Sequence, residues 1–165
     1  MANLTEFLAY HARRDPERVG LIYRDRQIGY GEMFARARAG AHWLERMGVR
    51  AGDVVALWMK NSAAFLDLTF AVSHRGAVLL PMNYRLSTSE IAYILADAGA
   101  KLLIADAEFA DQALPLAREA VEDVVILDAD AESDIRAVAG DALAPAAAVP
   151  RLTGDLMRLV YTSGT

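Results

Sequence analysis

Residues 54–59 read Val54-Val55-Ala56-Leu57-Trp58-Met59, a near-continuous apolar run. Such a run is typical of a strand in a parallel sheet that is covered on both faces. Before it, apolar residues recur at the spacing of an amphipathic helix from Met33 to Met47. After it, Asn61 or Ser62 can cap a second helix with the same apolar period. The hydrophobic period therefore switches from helix to strand and back around this run.

The alternation of strands and helices continues toward residue 127. Apolar runs predict strands at 78–80, 102–104 and 124–127, and periodic segments predict helices at 87–98 and 112–121. Strands that alternate with helices of this length form βαβ units, whose right-handed crossovers make the strands parallel. The sequence therefore predicts an α/β fold of three layers, with a doubly wound, mainly parallel sheet.

Two of the predicted helices begin with capping signals. Asn3 followed by Glu6 resembles a capping box, at the start of a helix that Asp15-Pro16 stops. Ser87 followed by Glu90 has the same spacing. In such a box the first side chain accepts an amide hydrogen bond while the glutamate reaches back.

Other stretches stand apart from the alternation. Residues 19–23 and 27–30 flank a polar turn and predict a short hairpin near the N-terminus. Residues 128–150 are rich in Ala and Asp and predict a surface linker. Residues 156–161 regain apolar character and predict a strand that leads into the final turn. We expect residues 1–165 to form one structural unit that contains this linker.

Composition limits the class of protein. Of 165 residues, 55% are hydrophobic and 24% are charged, as expected for one domain with a packed core. The formal net charge of −5 gives no basic field that would attract nucleic acid or an anionic membrane. The absence of cysteine excludes disulfides, thiolate metal sites and cysteine nucleophiles. No signal peptide and no apolar run of ~20 residues is visible, so we expect a cytoplasmic domain without a transmembrane segment.

The chain ends in a turn that is rich in hydroxyl groups. Thr162, Ser163 and Thr165 each offer a hydroxyl donor, and Gly164 permits close approach of the backbone. Convergent donors of this kind suit a polyanion such as a triphosphate. The sequence contains neither a Walker motif nor a Gly-x-Gly-x-x-Gly motif. Taken alone, the four residues are better explained by an ordinary hairpin turn.

Four segments together carry a more specific pattern. They are 29–33, 48–59, 76–91 and Tyr161-Thr162-Ser163-Gly164-Thr165. In this order they resemble the early helix start, the first buried strand, the second core motif and the start of the phosphate-binding signature of the adenylate-forming superfamily. This superfamily comprises acyl-CoA synthetases, luciferases and the adenylation domains of peptide synthetases. Two departures are visible: Gly29 replaces the usual Ser or Thr cap, and the continuation Thr-Gly-x-Pro-Lys does not occur in the chain.

The resemblance implies a function. Members of this superfamily join a carboxylate to ATP, giving acyl-adenylate and pyrophosphate, and acyl-CoA synthetases then form the CoA thioester. Thr162, Ser163, Gly164 and Thr165 would hold the β- and γ-phosphates of ATP, helped by Mg²⁺. The other site residues of the family would lie downstream, so we expect an N-terminal fragment with no catalytic residue and no activity of its own. A fatty or other small organic acid is the expected substrate, and the sequence is compatible with a homo-oligomer.

Three alternatives stay open. The first is the adenylation domain of a peptide or polyketide synthetase, which Asn83-Tyr84-Arg85-Leu86 disfavours because such domains tend to carry an acidic residue soon after Pro81. The second is a non-catalytic module that binds ATP. The third is a structural interaction domain without a nucleotide site.

Further polar residues are weaker candidates. Arg85 follows the C-terminal end of a predicted strand, where open α/β sheets bind ligands. It could contact a CoA phosphate or a carboxylate, although a structural ion pair is the simpler explanation. No metal site is expected. Structural roles are predicted for the three histidines and the two tryptophans, and helix capping or solvation for one acidic group. These residues are His11, His42, His74, Trp43, Trp58, Asp106, Glu108 and Asp111.

Overall fold

The structure, a computed structural model, describes residues 3–117, 119–128, 135 and 147–162. Within them, helices and strands follow the order α1 (Leu4–Arg14), β1 (Val19–Tyr23), β2 (Arg26–Gly29), α2 (Tyr30–Arg46), β3 (Val54–Trp58), α3 (Ala63–His74), β4 (Val78–Pro81), α4 (Thr88–Asp97), β5 (Ala100–Asp106), α5 (Ala110–Ala113) and β6 (Asp123–Leu127). Short 3-10 turns lie on both sides of α5, at Ala107–Phe109 and Leu114–Leu116.

Strands β3 to β6 form one parallel sheet in the order β4-β3-β5-β6. In the centre, Val55 of β3 pairs with Leu79 of β4 on one side and with Leu102 of β5 on the other. The connection from β4 to β5 therefore passes over β3. Each connection between these strands contains a helix, as crossovers between parallel strands require.

Side chains of β3 alternate between two cores. Val55 and Leu57 pack with α2 and α3 on one face of the sheet, whereas Ala56 and Trp58 pack with α4 and α5 on the other. All four side chains are fully buried. Burial on both faces explains why the run 54–59 is apolar without alternation. The predicted three-layer, doubly wound, mainly parallel α/β sheet is confirmed.

The N-terminal part contains the predicted hairpin. β1 and β2 pair in antiparallel fashion and form a sheet of their own. Leu8 of α1, Ile28 of β2 and Met33 of α2 lie in a third, smaller core between the hairpin and the helices. This core joins the hairpin to the main body of the fold.

The two predicted capping boxes differ in outcome. At α4, Ser87 accepts from the Glu90 amide while the Glu90 carboxylate accepts from the Ser87 amide, so the box is complete. At α1, Asn3 caps the helix through the Thr5 amide at 3.0 Å. Its Oδ1 also accepts from the Ser73 hydroxyl at 2.8 Å, and its amide donates to the Ser73 carbonyl. The predicted capping box with Glu6 is therefore wrong. The Asn3 side chain accepts from the Thr5 amide and also binds Ser73 at the end of α3.

The predicted helix 112–121 is also wrong. α5 has only four residues and passes into the 3-10 turn Leu114–Leu116. Pro115 lies inside this turn and has no amide to continue an α-helix. Ala117 then becomes extended, with ψ 127°, and forms an isolated bridge with Val121.

The end of the chain forms less strand than predicted. Of residues 156–161, Arg158 makes a single parallel bridge to Leu79, at the free edge of β4. Most of the predicted linker 128–150 lies outside the described residues. Within it, Ile135 is buried in the core beside α2 and α3. Across the part of the chain that the structure describes, no helix has the length and apolar character needed to cross a membrane.

Candidate functional site

The candidate residues lie where the parallel strands end. β3 continues into Lys60, β4 into Asn83-Tyr84-Arg85, and β5 into Glu108. The helix that follows β3 packs on one face of the sheet, and the helix that follows β5 packs on the other. Open α/β sheets usually bind ligands where neighbouring strands change face in this way.

An ion pair joins the ends of β3 and β5. Lys60 Nζ lies 2.6 Å from Glu108 Oε2, and both side chains are about half exposed. The hydrogen bond to Glu108 raises the pKa of Lys60, so its ammonium stays charged throughout the physiological range. Below it, the rings of Trp58 and Phe109 stack at 5.0 Å between centroids. The indole Nε1 of Trp58 is buried and makes no hydrogen bond within the described structure.

Arg85 lies in an exposed loop after β4. Its backbone amide donates to Asn83 Oδ1 at 3.0 Å, which fixes the start of the loop. Its guanidinium lies 5.5 Å from the centroid of the Tyr84 ring, and Lys60 Nζ lies 5.8 Å from the same centroid. The structural ion pair expected for Arg85 is not found among the described residues. Two cationic side chains therefore lie near the Tyr84 ring, Arg85 from the same loop and Lys60, which is paired with Glu108.

The segment that leads to the predicted phosphate turn is bound to β4 and α4. The Leu79 amide donates to the Met157 carbonyl at 3.0 Å, and the Leu159 amide donates to the Leu79 carbonyl at 2.9 Å. The Tyr161 hydroxyl donates to Asp97 Oδ2 at 2.5 Å. This hydrogen bond, together with partial burial, raises the pKa of Tyr161 to about 12. Because the segment runs parallel to β4, Thr162 lies toward the carboxyl end of the sheet, as Asn83 does.

Of the four predicted phosphate-binding residues, the structure describes Thr162. Ser163, Gly164 and Thr165 lie outside the described residues. Thr162 lines a groove of about 430 Å³ between α4 and the end of the described chain. The groove is lined by Asn83, Leu86, Ser89, Glu90, Tyr93, Ile94, Tyr161 and Thr162. The structure thus brings Thr162 next to the loop that contains Arg85.

The weaker candidates make contacts within the fold. The His11 ring stacks on Tyr30 at 4.7 Å, and His42 lies 3.7 Å from Glu45. His74 is buried, with its Nδ1 2.9 Å from the Thr5 hydroxyl. These histidines are on different helices and do not converge on one site.

The acidic group and the tryptophans likewise have roles in the fold. Asp106 caps the turn after β5 by accepting from the Ala107 amide at 2.9 Å. Glu108 pairs with Lys60. Trp43 and Trp58 are buried in opposite cores. Among the described residues, no group of three His, Asp or Glu side chains could hold a metal ion.

Two contacts of the candidate site could not be found from the sequence pattern. The Lys60–Glu108 pair joins residues 48 positions apart, and the Tyr161–Asp97 pair joins residues 64 positions apart. For the first pair, the sequence offers one indication: Lys60 and Glu108 both follow predicted strands. Asp97 carried no such signal because it lies at the end of a helix.

The sequence profile that describes the AMP-binding enzyme matches residues 8–165. The chain belongs to the AMP-binding enzyme family. The match includes all three described contact regions: the ends of β3 and β5, the loop with Arg85, and the segment that ends at Thr162.

Similar members of the family include enzymes of two kinds. The long-chain-fatty-acid–CoA ligase FadD13 of Mycobacterium tuberculosis is 33% identical over 141 residues, which are 86% of this chain and 28% of that enzyme. A linear gramicidin synthase polypeptide of Brevibacillus parabrevis is 29% identical over 162 residues, 97% of this chain and 3% of that protein. The crystal structure of ATP-bound MatB from Rhodopseudomonas palustris has a TM-score of 0.87 at 29% identity, covering 98% of this chain and 32% of MatB. The chain spans 21% to 29% of the first curated relatives that it matches.

Proposed function

We propose that this chain is the N-terminal part of an ATP-dependent acid–CoA ligase. The enzyme joins a carboxylic acid to ATP, releases pyrophosphate, and transfers the acyl group from the adenylate to the thiol of CoA. The observation that carries the proposal is the position of Thr162: in a chain of the AMP-binding enzyme family, the first residue of the hydroxyl-rich sequence 162–165 lines a groove at the carboxyl end of β4. A fatty or other small organic acid is the proposed substrate, supported by the name of FadD13.

The proposed role of the turn is electrostatic. Thr162, Ser163 and Thr165 donate hydroxyl hydrogen bonds to the β- and γ-phosphates, while Gly164 leaves space for the phosphate oxygens. Such donors stabilise the charge that grows on the departing pyrophosphate. When bound together with ATP, Mg²⁺ would neutralise phosphate charge.

Arg85 is the proposed contact for a CoA phosphate. Its exposed guanidinium lies beside the Tyr84 ring, which Lys60 also approaches. Arginine binds phosphate through two parallel hydrogen bonds, which lysine cannot reproduce. We expect Arg85→Ala to raise KM for CoA at least about tenfold relative to KM for ATP, because at least one charged hydrogen bond is lost. Arg85→Lys should recover only part of this loss, and equal changes in both KM values would refute the assignment.

The experiment that tests the function uses the full-length protein. Carboxylate-dependent ATP–pyrophosphate exchange is measured over a panel of organic acids, followed by detection of the CoA thioester. Thr162→Val should slow exchange about 10- to 100-fold, because one charged hydrogen bond is lost. Thr162→Ser, which retains the hydroxyl, is the matched control. Exchange that needs no carboxylate, or ATP binding without exchange, would overturn the proposal in favour of a nucleotide-binding module.

The identity of the acyl acceptor distinguishes an acid–CoA ligase from a synthetase adenylation domain. Transfer to free CoA supports the ligase, whereas transfer only to a carrier protein would assign the chain to a synthetase adenylation domain. The 165-residue chain alone should show no exchange, since it spans only 32% of MatB. Exchange by this chain alone would contradict the expectation that the catalytic residues lie downstream.

A further inference from the structure

The segment from Met157 to Thr162 changes its mode of attachment along its length. Up to Leu159 it is held by backbone hydrogen bonds to Leu79 of β4. After Leu159, the segment is held by a side chain, through the hydrogen bond from the Tyr161 hydroxyl to Asp97. The residue that enters the proposed phosphate turn is the next one, Thr162. The position of Thr162 therefore depends on this side-chain contact more than on the sheet.

The surroundings of Asp97 indicate that it is placed for this contact. Asp97 is the last residue of α4, where the helix dipole is unfavourable for a carboxylate, and the last turn contains no basic residue to compensate. Within the described residues, no cation lies within ion-pair distance of its carboxylate. The distance of 2.5 Å to the Tyr161 oxygen is that of a short, charge-assisted hydrogen bond.

Two side chains of the segment contact α4 or the core beneath it. Leu159 packs against the core beneath α4, and Tyr161 reaches the end of that helix. α4 is itself fixed to the sheet through Ile91 and Leu95, both fully buried. Tyr161 thus connects the phosphate turn to a rigid element.

We propose that Tyr161 and Asp97 form a positioning pair that holds the phosphate turn in the geometry that ATP requires. This inference rests on the proposed function of the turn. Neither side chain needs to touch the nucleotide. The pair acts by restricting the backbone at Thr162, so that the Thr162 hydroxyl is held in place before ATP arrives. Preorganised donors bind a charged group without a further ordering cost.

The test is a double-mutant cycle in the full-length protein. Tyr161→Phe, Asp97→Ala and the double variant should each raise KM for ATP about three- to tenfold in the exchange reaction, as expected for one exposed, charged hydrogen bond. The double variant should be no worse than either single variant, because both remove the same contact. KM for CoA should stay unchanged. Asp97→Asn retains a neutral acceptor and should recover part of the ATP affinity.

Matched controls separate positioning from folding. Tyr10→Phe removes an exposed tyrosine hydroxyl that contacts Arg14 on α1, and it should leave both KM values unchanged. Should Tyr161→Phe fail to fold, Asp97→Ala and Asp97→Asn still test the contact. Additive effects, or equal increases in KM for ATP and CoA, would overturn the positioning role. A wild-type protein without carboxylate-dependent exchange would instead refute the proposed function, so the two failures are distinguishable.

Discussion

Replacing Arg36 should destabilise the fold severely, because this arginine is buried between two helices. Its side chain is only 2% exposed. Its Nε and Nη2 contact Glu32 Oε1 at 3.0 and 2.6 Å, and its Nη1 lies 3.3 Å from Asp67 Oδ2 on α3. Arg36→Met fills the space with apolar atoms but removes the guanidinium from Asp67, which is 3% exposed. Glu32, at 36%, can still reach water.

The expected magnitude follows from the burial of Asp67. Breaking a buried ion pair by removing one partner costs about 3–5 kcal/mol, because a desolvated charge remains. A domain of this kind has a free energy of unfolding of about 5–15 kcal/mol, so Arg36→Met removes a large part of it. Arg36→Met combined with Asp67→Leu removes both charges and should return to within about 1 kcal/mol of the wild type.

Urea unfolding of the chain, followed by circular dichroism with linear extrapolation, measures these differences. Arg13→Met on the exposed face of α1 is the control and should change stability by no more than about 0.5 kcal/mol. A loss below about 1 kcal/mol for Arg36→Met would refute the argument. A double variant as unstable as the single one would show that the loss comes from packing and not from breaking the Arg36–Asp67 ion pair.

Three further predictions concern single positions. The Tyr161 phenol, with a pKa of about 12, should ionise after ordinary tyrosines in an absorbance titration at high pH. Its neutral form donates the hydrogen bond, so the stabilising contact is complete below pH ~10 and is lost as the pH rises toward 12. A Tyr161→Phe variant should lack this late ionisation step. Gly40→Ala should lower stability by about 1–3 kcal/mol in thermal unfolding, because its Cβ would lie 2.8 Å from that of Ala71. Ser87→Ala should cost about 1 kcal/mol in the same assay through loss of the α4 cap, and Ser87→Thr should retain most of it.

Much of the fold could be predicted because its signals are local. The apolar run 54–59 and its helical neighbours are enough to indicate a parallel sheet with helices on both faces. The predicted helix 112–121 is wrong because Pro115 has no amide to continue an α-helix, an effect that apolar periodicity does not contain. The prediction also failed at 156–161, where only one bridge forms. Strand extent at a sheet edge depends on the partner strand, which the local pattern does not contain.

The candidate site was less predictable, since its contacts depend on strand order. The pattern identifies Lys60 and Glu108 as residues that follow strands, but their contact requires β3 and β5 to be neighbours although β4 lies between them in sequence. The ion pair of Arg36 could not be predicted for a related reason. Arg36 occupies a buried position of an amphipathic helix, and only the packing of α3 against α2 supplies Asp67.

The location of the groove also follows from strand order. The usual ligand position of an open α/β sheet would be the crevice between the ends of β3 and β5. In this chain those ends are already joined by the Lys60–Glu108 pair and by the stacked rings of Trp58 and Phe109. The open space lies instead beyond β4, whose free edge accepts residues 157–159 and so places Thr162 beside α4. The unpaired backbone groups of the edge strand β4 therefore allow residues 157–159, which are distant in sequence, to bind there. This contact places Thr162, the first residue of the predicted phosphate turn, at the groove.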